Sequence, residues 1–60
     1  MVDIIIYPRN NKATIIAGQT DKGIAWMREN YRSTTTTIPI DVLEDFKKDL
    51  TDLKLTFEDL

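Results

Sequence analysis

Four aspartates, Asp41, Asp45, Asp49 and Asp52, recur at steps of four, four and three residues. That spacing puts side chains on one ridge of a helix. At a rise of 1.5 Å per residue, carboxylates four apart lie about 6 Å apart along the axis, comparable in scale to successive phosphates on a nucleic-acid strand. The chemistry such a row offers is recognition of a basic surface. Asp41, Glu44 and Asp45 also invite comparison with a hard-cation site or an acid/base pair. No EF-hand loop with its central Gly accompanies them, and one helix face rarely supplies a full oxygen shell. Carboxylates are favoured at a helix start in any case, because they oppose the positive end of the helix dipole.

Gly18-Gln19-Thr20-Asp21-Lys22-Gly23 lies where phosphate loops occur, between an expected strand and an expected helix. It lacks both the Gly-Lys-Ser/Thr ending and the Gly-x-Gly-x-x-Gly spacing, so the amides and hydroxyl those loops use have no counterpart. The chain contains neither Cys nor His. Disulfides, thiolate metal sites, and the Ser-His and Cys-His nucleophile pairs are therefore excluded together. No catalytic residue, metal site or cofactor is expected, and the chain reads as a non-enzyme.

The elements that must position the aspartates begin with a helix over Ile40 to Lys54. Its apolar residues Leu43, Phe46, Leu50 and Leu53 recur at i, i+3, i+7 and i+10, a core-facing stripe opposed to the acidic ridge. Asp41 followed by Glu44 resembles a capping box, which places the helix start. Upstream, Val2 to Tyr7 and Ala13 to Ala17 read as two strands joined by Pro8-Arg9-Asn10-Asn11, turn chemistry in which Asn tolerates the left-handed backbone. Ile4-Ile5-Ile6 does not alternate with polar residues, so the first strand is apolar on both faces. Either a second layer or another chain covers the outer face, which makes Ile5 and Tyr7 a candidate second interface, or one Ile is simply left exposed.

Thr20 or Asp21 caps a helix that runs to about Tyr31 or Arg32. Gly23, Ile24, Trp26, Met27 and Tyr31 share its apolar arc, and Gly23 at about 1 kcal/mol of lost propensity implies a close backbone approach to the sheet. Thr35 to Ile38 reads as a strand closed by Pro39, with an extended loop as the alternative; because Pro cannot donate to a ladder, the strand lies at an edge or ends just before Pro39. Leu55 to Leu60 reads as a short returning strand. The expectation is one α+β domain over residues 1 to 60, a small single-layer mixed sheet with two helices on one face, in the order ββαβα(β).

Sixty residues bury only about 60% of the surface their unfolded form exposes, so stability is modest or shared with a partner. The 42% apolar and 30% charged fractions are those of a folded, soluble chain. The longest apolar run is too short to span a bilayer and no signal peptide precedes it. A cytoplasmic location is therefore expected, with no membrane partner. Residues 1 to 32 hold five cations and three anions, whereas residues 33 to 60 hold three cations and seven anions. The C-terminal half, at net -4, repels nucleic acid and favours basic partners. Arg9, Lys12, Arg28 and Arg32 are too scattered to form a basic stripe, so direct nucleic-acid binding is not expected.

Thr20 to Asn30, with its Gly-x-x-Trp helix, and the Ile38 to Phe57 block, a helix followed by a Leu-Thr-hydrophobic strand, resemble small accessory proteins of phage and prophage gene clusters. That resemblance covers about half the chain and implies a phage-type accessory protein, a group containing many inhibitors of host defence and few enzymes. On that basis the location would be the host cytoplasm. The leading expectation is an interaction protein that inhibits a host nucleic-acid-binding or defence complex through the ridge Asp41, Asp45, Asp49 and Asp52. The alternative is a homodimer or self-associating module, pairing through the N-terminal hairpin or the Thr-rich edge.

Overall fold

A computed structural model describes the whole chain, Met1–Leu60. The order is β1 (Ile4–Pro8), β2 (Lys12–Ala17), α1 (Asp21–Tyr31), β3 (Thr35–Pro39), a 3₁₀ turn (Ile40–Val42), α2 (Leu43–Asp52) and β4 (Phe57–Asp59). The strands form one sheet in the order β3-β2-β1-β4. β1 pairs antiparallel with β2, β2 antiparallel with β3, and β1 parallel with β4. The sheet is therefore mixed, and the chain is the α+β unit its sequence indicates.

β3 and β4 run parallel at opposite edges, so α2 must cross the two central strands to join them. That crossing gives its apolar stripe a place to pack. Ile4 and Ile6 of β1, Ala13 and Ile15 of β2, Met27 of α1, and Leu43, Phe46 and Leu50 of α2 form a single buried cluster completed by Leu55. Both helices therefore cover the same face. Each Ile fully buried here contributes about 1.5–3 kcal/mol relative to exposure.

The opposite face has no second layer. By register it carries Ile5 beside Ile16, Tyr7 beside Thr14, and Thr35 and Thr37 beyond them. Ile5, Tyr7 and Ile16 are half-buried by their neighbours alone. The double-sided apolar character of Ile4-Ile5-Ile6 thus corresponds to one core face and one open face. The hairpin supplies the two central strands, so both its edges are already paired.

Several local features differ from the sequence expectation. The hairpin turn at Asn10-Asn11 uses no left-handed residue, since positive φ occurs only at Arg32 and Lys54. Asp41 is not an N-cap: the chain enters a 3₁₀ turn straight after Pro39, and α2 starts behind Val42 with no side-chain cap. Leu53 is 53% exposed and Leu55 takes its place in the core. The cause is the helix stop. Leu55 N–H donates to the Leu50 carbonyl at 2.8 Å and Lys54 N–H to that of Thr51 at 3.0 Å, a Schellman turn with Lys54 at φ 62° in the position Gly usually takes. The reversal throws Leu53 outward and folds Leu55 back onto Leu50.

Candidate functional site

The four aspartates lie on two consecutive elements, Asp41 in the 3₁₀ turn and Asp45, Asp49 and Asp52 in α2. Asp45 and Asp49 lie one turn apart on α2, both exposed. They border an open groove of about 300 Å³ whose other lining residues are Tyr31, Ile38, Val42 and Phe46. Asp41 sits in the preceding 3₁₀ turn and Asp52 in the last turn of α2, both exposed and both outside the groove lining. The structure therefore brings two of the four aspartates to one concavity.

The groove exists because β3 is incompletely covered. Ile38 points to the helical face opposite Ala13, yet neither helix closes over it and it remains half-buried. Aromatic packing forms the wall. Trp26 stands edge-on to both Tyr31 and Phe46, each ring centroid 5.8 Å away, which pins the C-terminal end of α1 against α2. Burial, and secondarily the charge of Asp49, pushes the Tyr31 phenol above its ordinary pKa. Val42, 42% exposed, closes the far side with an aliphatic surface.

Asp45 and Asp49 have no cationic partner in the chain. The single ion pair joins Lys47 to Asp59 and ties α2 to β4. An apolar floor beneath two uncompensated carboxylates suits a side chain with an aliphatic stem and a cationic head, which is the anatomy of Lys and Arg. No group of three or more acidic, His or Cys side chains is placed to hold a metal ion.

Ile5 and Tyr7, the second predicted surface, share the open face of β1. Ile5 lines a shallow hollow with Met1, Val2, Gly18 and Gln19. Arg9 stands over the Tyr7 ring at 5.9 Å. The two side chains do not converge on one concavity.

The residue that sequence reasoning missed is Asp3. It is only 7% exposed, and its carboxylate gathers three elements. Thr20 Oγ1 donates to Oδ1, Thr56 N–H to Oδ2 at 2.8 Å, and Thr56 Oγ1 to Oδ2 at 3.2 Å. Thr20 Oγ1 in turn accepts from Gly23 N–H at 3.0 Å, capping α1. The Thr20 hydroxyl first, then the Thr56 amide, hold Asp3 below its ordinary pKa by stabilising the charged form. With every oxygen engaged, Asp3 is a joint of the fold, not a free reagent. The one sequence signal pointing to it is Gly23, where an added Cβ would lie 2.0 Å from the Asp3 carbonyl oxygen.

No helix is long and apolar enough to cross a membrane. Comparisons with protein-family profiles, curated proteins and solved structures returned no match.

Proposed function

We propose that this protein is a non-enzymatic interaction module whose acidic groove takes a Lys or Arg side chain from a basic partner protein. The observation that carries the reading is the pairing of Asp45 and Asp49, without internal counter-ions, on the rim of an apolar groove. A charged head between two carboxylates and a methylene stem over Ile38, Val42 and Phe46 would satisfy both halves of that surface. The net -4 of residues 33 to 60 adds steering toward a basic surface and away from nucleic acid.

The partner class proposed is a protein whose basic surface otherwise holds nucleic acid, so that occupancy inhibits it. Asp41 and Asp52 extend the acidic rail beyond the groove and contribute long-range attraction. The test is capture of partners from host lysate at two salt concentrations, with wild type and an Asp45→Lys/Asp49→Lys variant. Loss of capture in the variant, with circular dichroism unchanged, and competition by nucleic acid are the expected results. Capture that resists high salt and survives both substitutions overturns the reading.

A further inference from the structure

The two edges of the sheet are built differently. At the β4 edge the strand is three residues long, Phe57–Asp59, carries Glu58 and Asp59, and has Asp59 tied down by Lys47. Short length and charge are the usual protection of an edge against pairing with another chain. The β3 edge has neither. Ser33 to Ile40 contains no charged residue, and the strand spans five residues, Thr35–Pro39.

The hydrogen-bond phase shows which backbone groups that edge exposes. Ala17 N–H donates to the Thr34 carbonyl at 2.8 Å and Ile40 N–H to the Asn11 carbonyl at 3.1 Å. Given the register Ile15↔Thr36 and Ala13↔Ile38, the even-numbered residues 34 to 40 face β2. Thr35, Thr37 and Pro39 therefore aim their backbone groups outward. The outward Thr35 N–H has only a 3.3 Å contact with Ser33 Oγ, and Pro39 has no N–H to offer.

We infer that β3 pairs antiparallel with β3 of a second copy of this chain, about a two-fold axis at Thr36. In that register Thr35 lies opposite Thr37 of the other copy, so the two residues exchange both backbone bonds on each side of the axis. Pro39 falls opposite Ser33, which lies in the bend before β3, so the paired ladder ends there and the missing Pro39 donor interrupts none of its central bonds. Thr36 meets its own copy, one of the Thr–Thr pairs favourable across strands. An uncharged edge meets itself without repulsion, whereas a β4–β4 pairing would set Glu58 and Asp59 against their copies. The axis is normal to the sheet, so both helical layers lie on one side of a continuous eight-stranded sheet.

This symmetry has an electrostatic signature. Each acidic groove includes Ile38 of the pairing strand, so dimerisation draws Asp45 and Asp49 of the two copies toward each other. Added salt screens that repulsion and strengthens the dimer, while it weakens capture of a basic partner. Dimerisation and capture of a basic partner thus respond to salt with opposite sign, and failure of one leaves the other standing.

The experiment is sedimentation equilibrium of the purified chain from about 10 µM to about 1 mM, the range in which small interfaces populate. It is run at low and high salt, on wild type, Thr37→Lys and Thr37→Pro. Thr37 is exposed and its amide is not used within the chain, so both variants should keep native circular dichroism. A wild-type dimer that tightens with salt, weakens at least tenfold in both variants, and shows concentration-dependent protection of the Thr37 amide is the expected result. A strict monomer over the whole range overturns the inference. So does a dimer indifferent to both variants, which would mean pairing through the Ile5/Ile16 face.

Discussion

Asp3 and the Asp45/Asp49 pair are carboxylates in opposite circumstances. Asp3 is buried and receives three hydrogen bonds from Thr20 and Thr56; Asp45 and Asp49 are exposed and receive no internal cation. The difference separates the charge that holds this fold from the charge left available to a partner. Removing the first should cost stability and leave binding chemistry alone. Removing the second should do the reverse.

The largest effect is expected from Asp3→Ala. It strands the Thr56 amide and the Thr20 hydroxyl at the junction of β1, α1 and β4, and a charged hydrogen-bonded group of this kind is worth about 1.5–3 kcal/mol per bond lost. Because a small domain has only about 5–15 kcal/mol of total stability, urea denaturation of this variant should show a midpoint well below wild type. The pH dependence follows from the same contacts. The folded pKa of Asp3 is depressed, so its stabilisation is complete above the unfolded value near 3.8 and is lost as pH falls through the folded value. Thermal midpoints measured from neutral pH down to about pH 2 should drop more for wild type than for Asp3→Asn. Equal slopes would mean that Asp3 is not the acid-sensitive joint.

A smaller loss should follow Gly23→Ala, which tests the joint from the other side. In an ordinary exposed helix the change would gain about 1 kcal/mol of propensity. Here the new methyl would lie 2.0 Å from the Asp3 carbonyl oxygen, and forcing α1 away from β1 should destabilise by about 1–3 kcal/mol. The sign of the change in denaturation midpoint decides between the two. A gain would show that α1 can move off the sheet without disturbing the Asp3 contacts.

The extent to which the chain discloses this arrangement varies with the range of the interaction. Leu43, Phe46 and Leu50 are legible because helical period is local, and so is the close approach at Gly23, since a Gly on the apolar arc of a helix fits a backbone packed closely against it. Asp3 is not legible: its partners lie 17 and 53 residues away, and nothing around Val2-Asp3-Ile4 marks it as buried. Leu53 misleads for a related reason. Its spacing fits the apolar stripe, but the helix stops before it, at a left-handed Lys54 where no Gly announces the end. The groove falls between these cases. Asp45 and Asp49 can be placed on one ridge from their spacing, whereas Ile38 and Tyr31 join them only through the way α2 crosses the sheet and leaves β3 partly uncovered.

The smallest effect belongs to the exposed pair, and it sharpens the contrast because its sign is reversed. Asp45 and Asp49 are like charges at i, i+4, an arrangement that costs an isolated helix about 0.2–0.5 kcal/mol. Replacing Asp49 with Asn removes that repulsion. It also withdraws the charge that helps raise the Tyr31 pKa. The variant should therefore unfold at a slightly higher urea concentration than wild type, and spectrophotometric titration should find the Tyr31 phenol ionising at lower pH, with burial alone still holding it above the ordinary value. Partner capture should weaken in the same protein. Where Asp3 holds elements together, Asp49 repels its helix neighbour and opposes the ionisation of the phenol beside it. If Asp49→Asn lowered stability instead, the residue would belong with Asp3 among the charges that hold the fold, and the groove would lose half of its claim on a basic side chain.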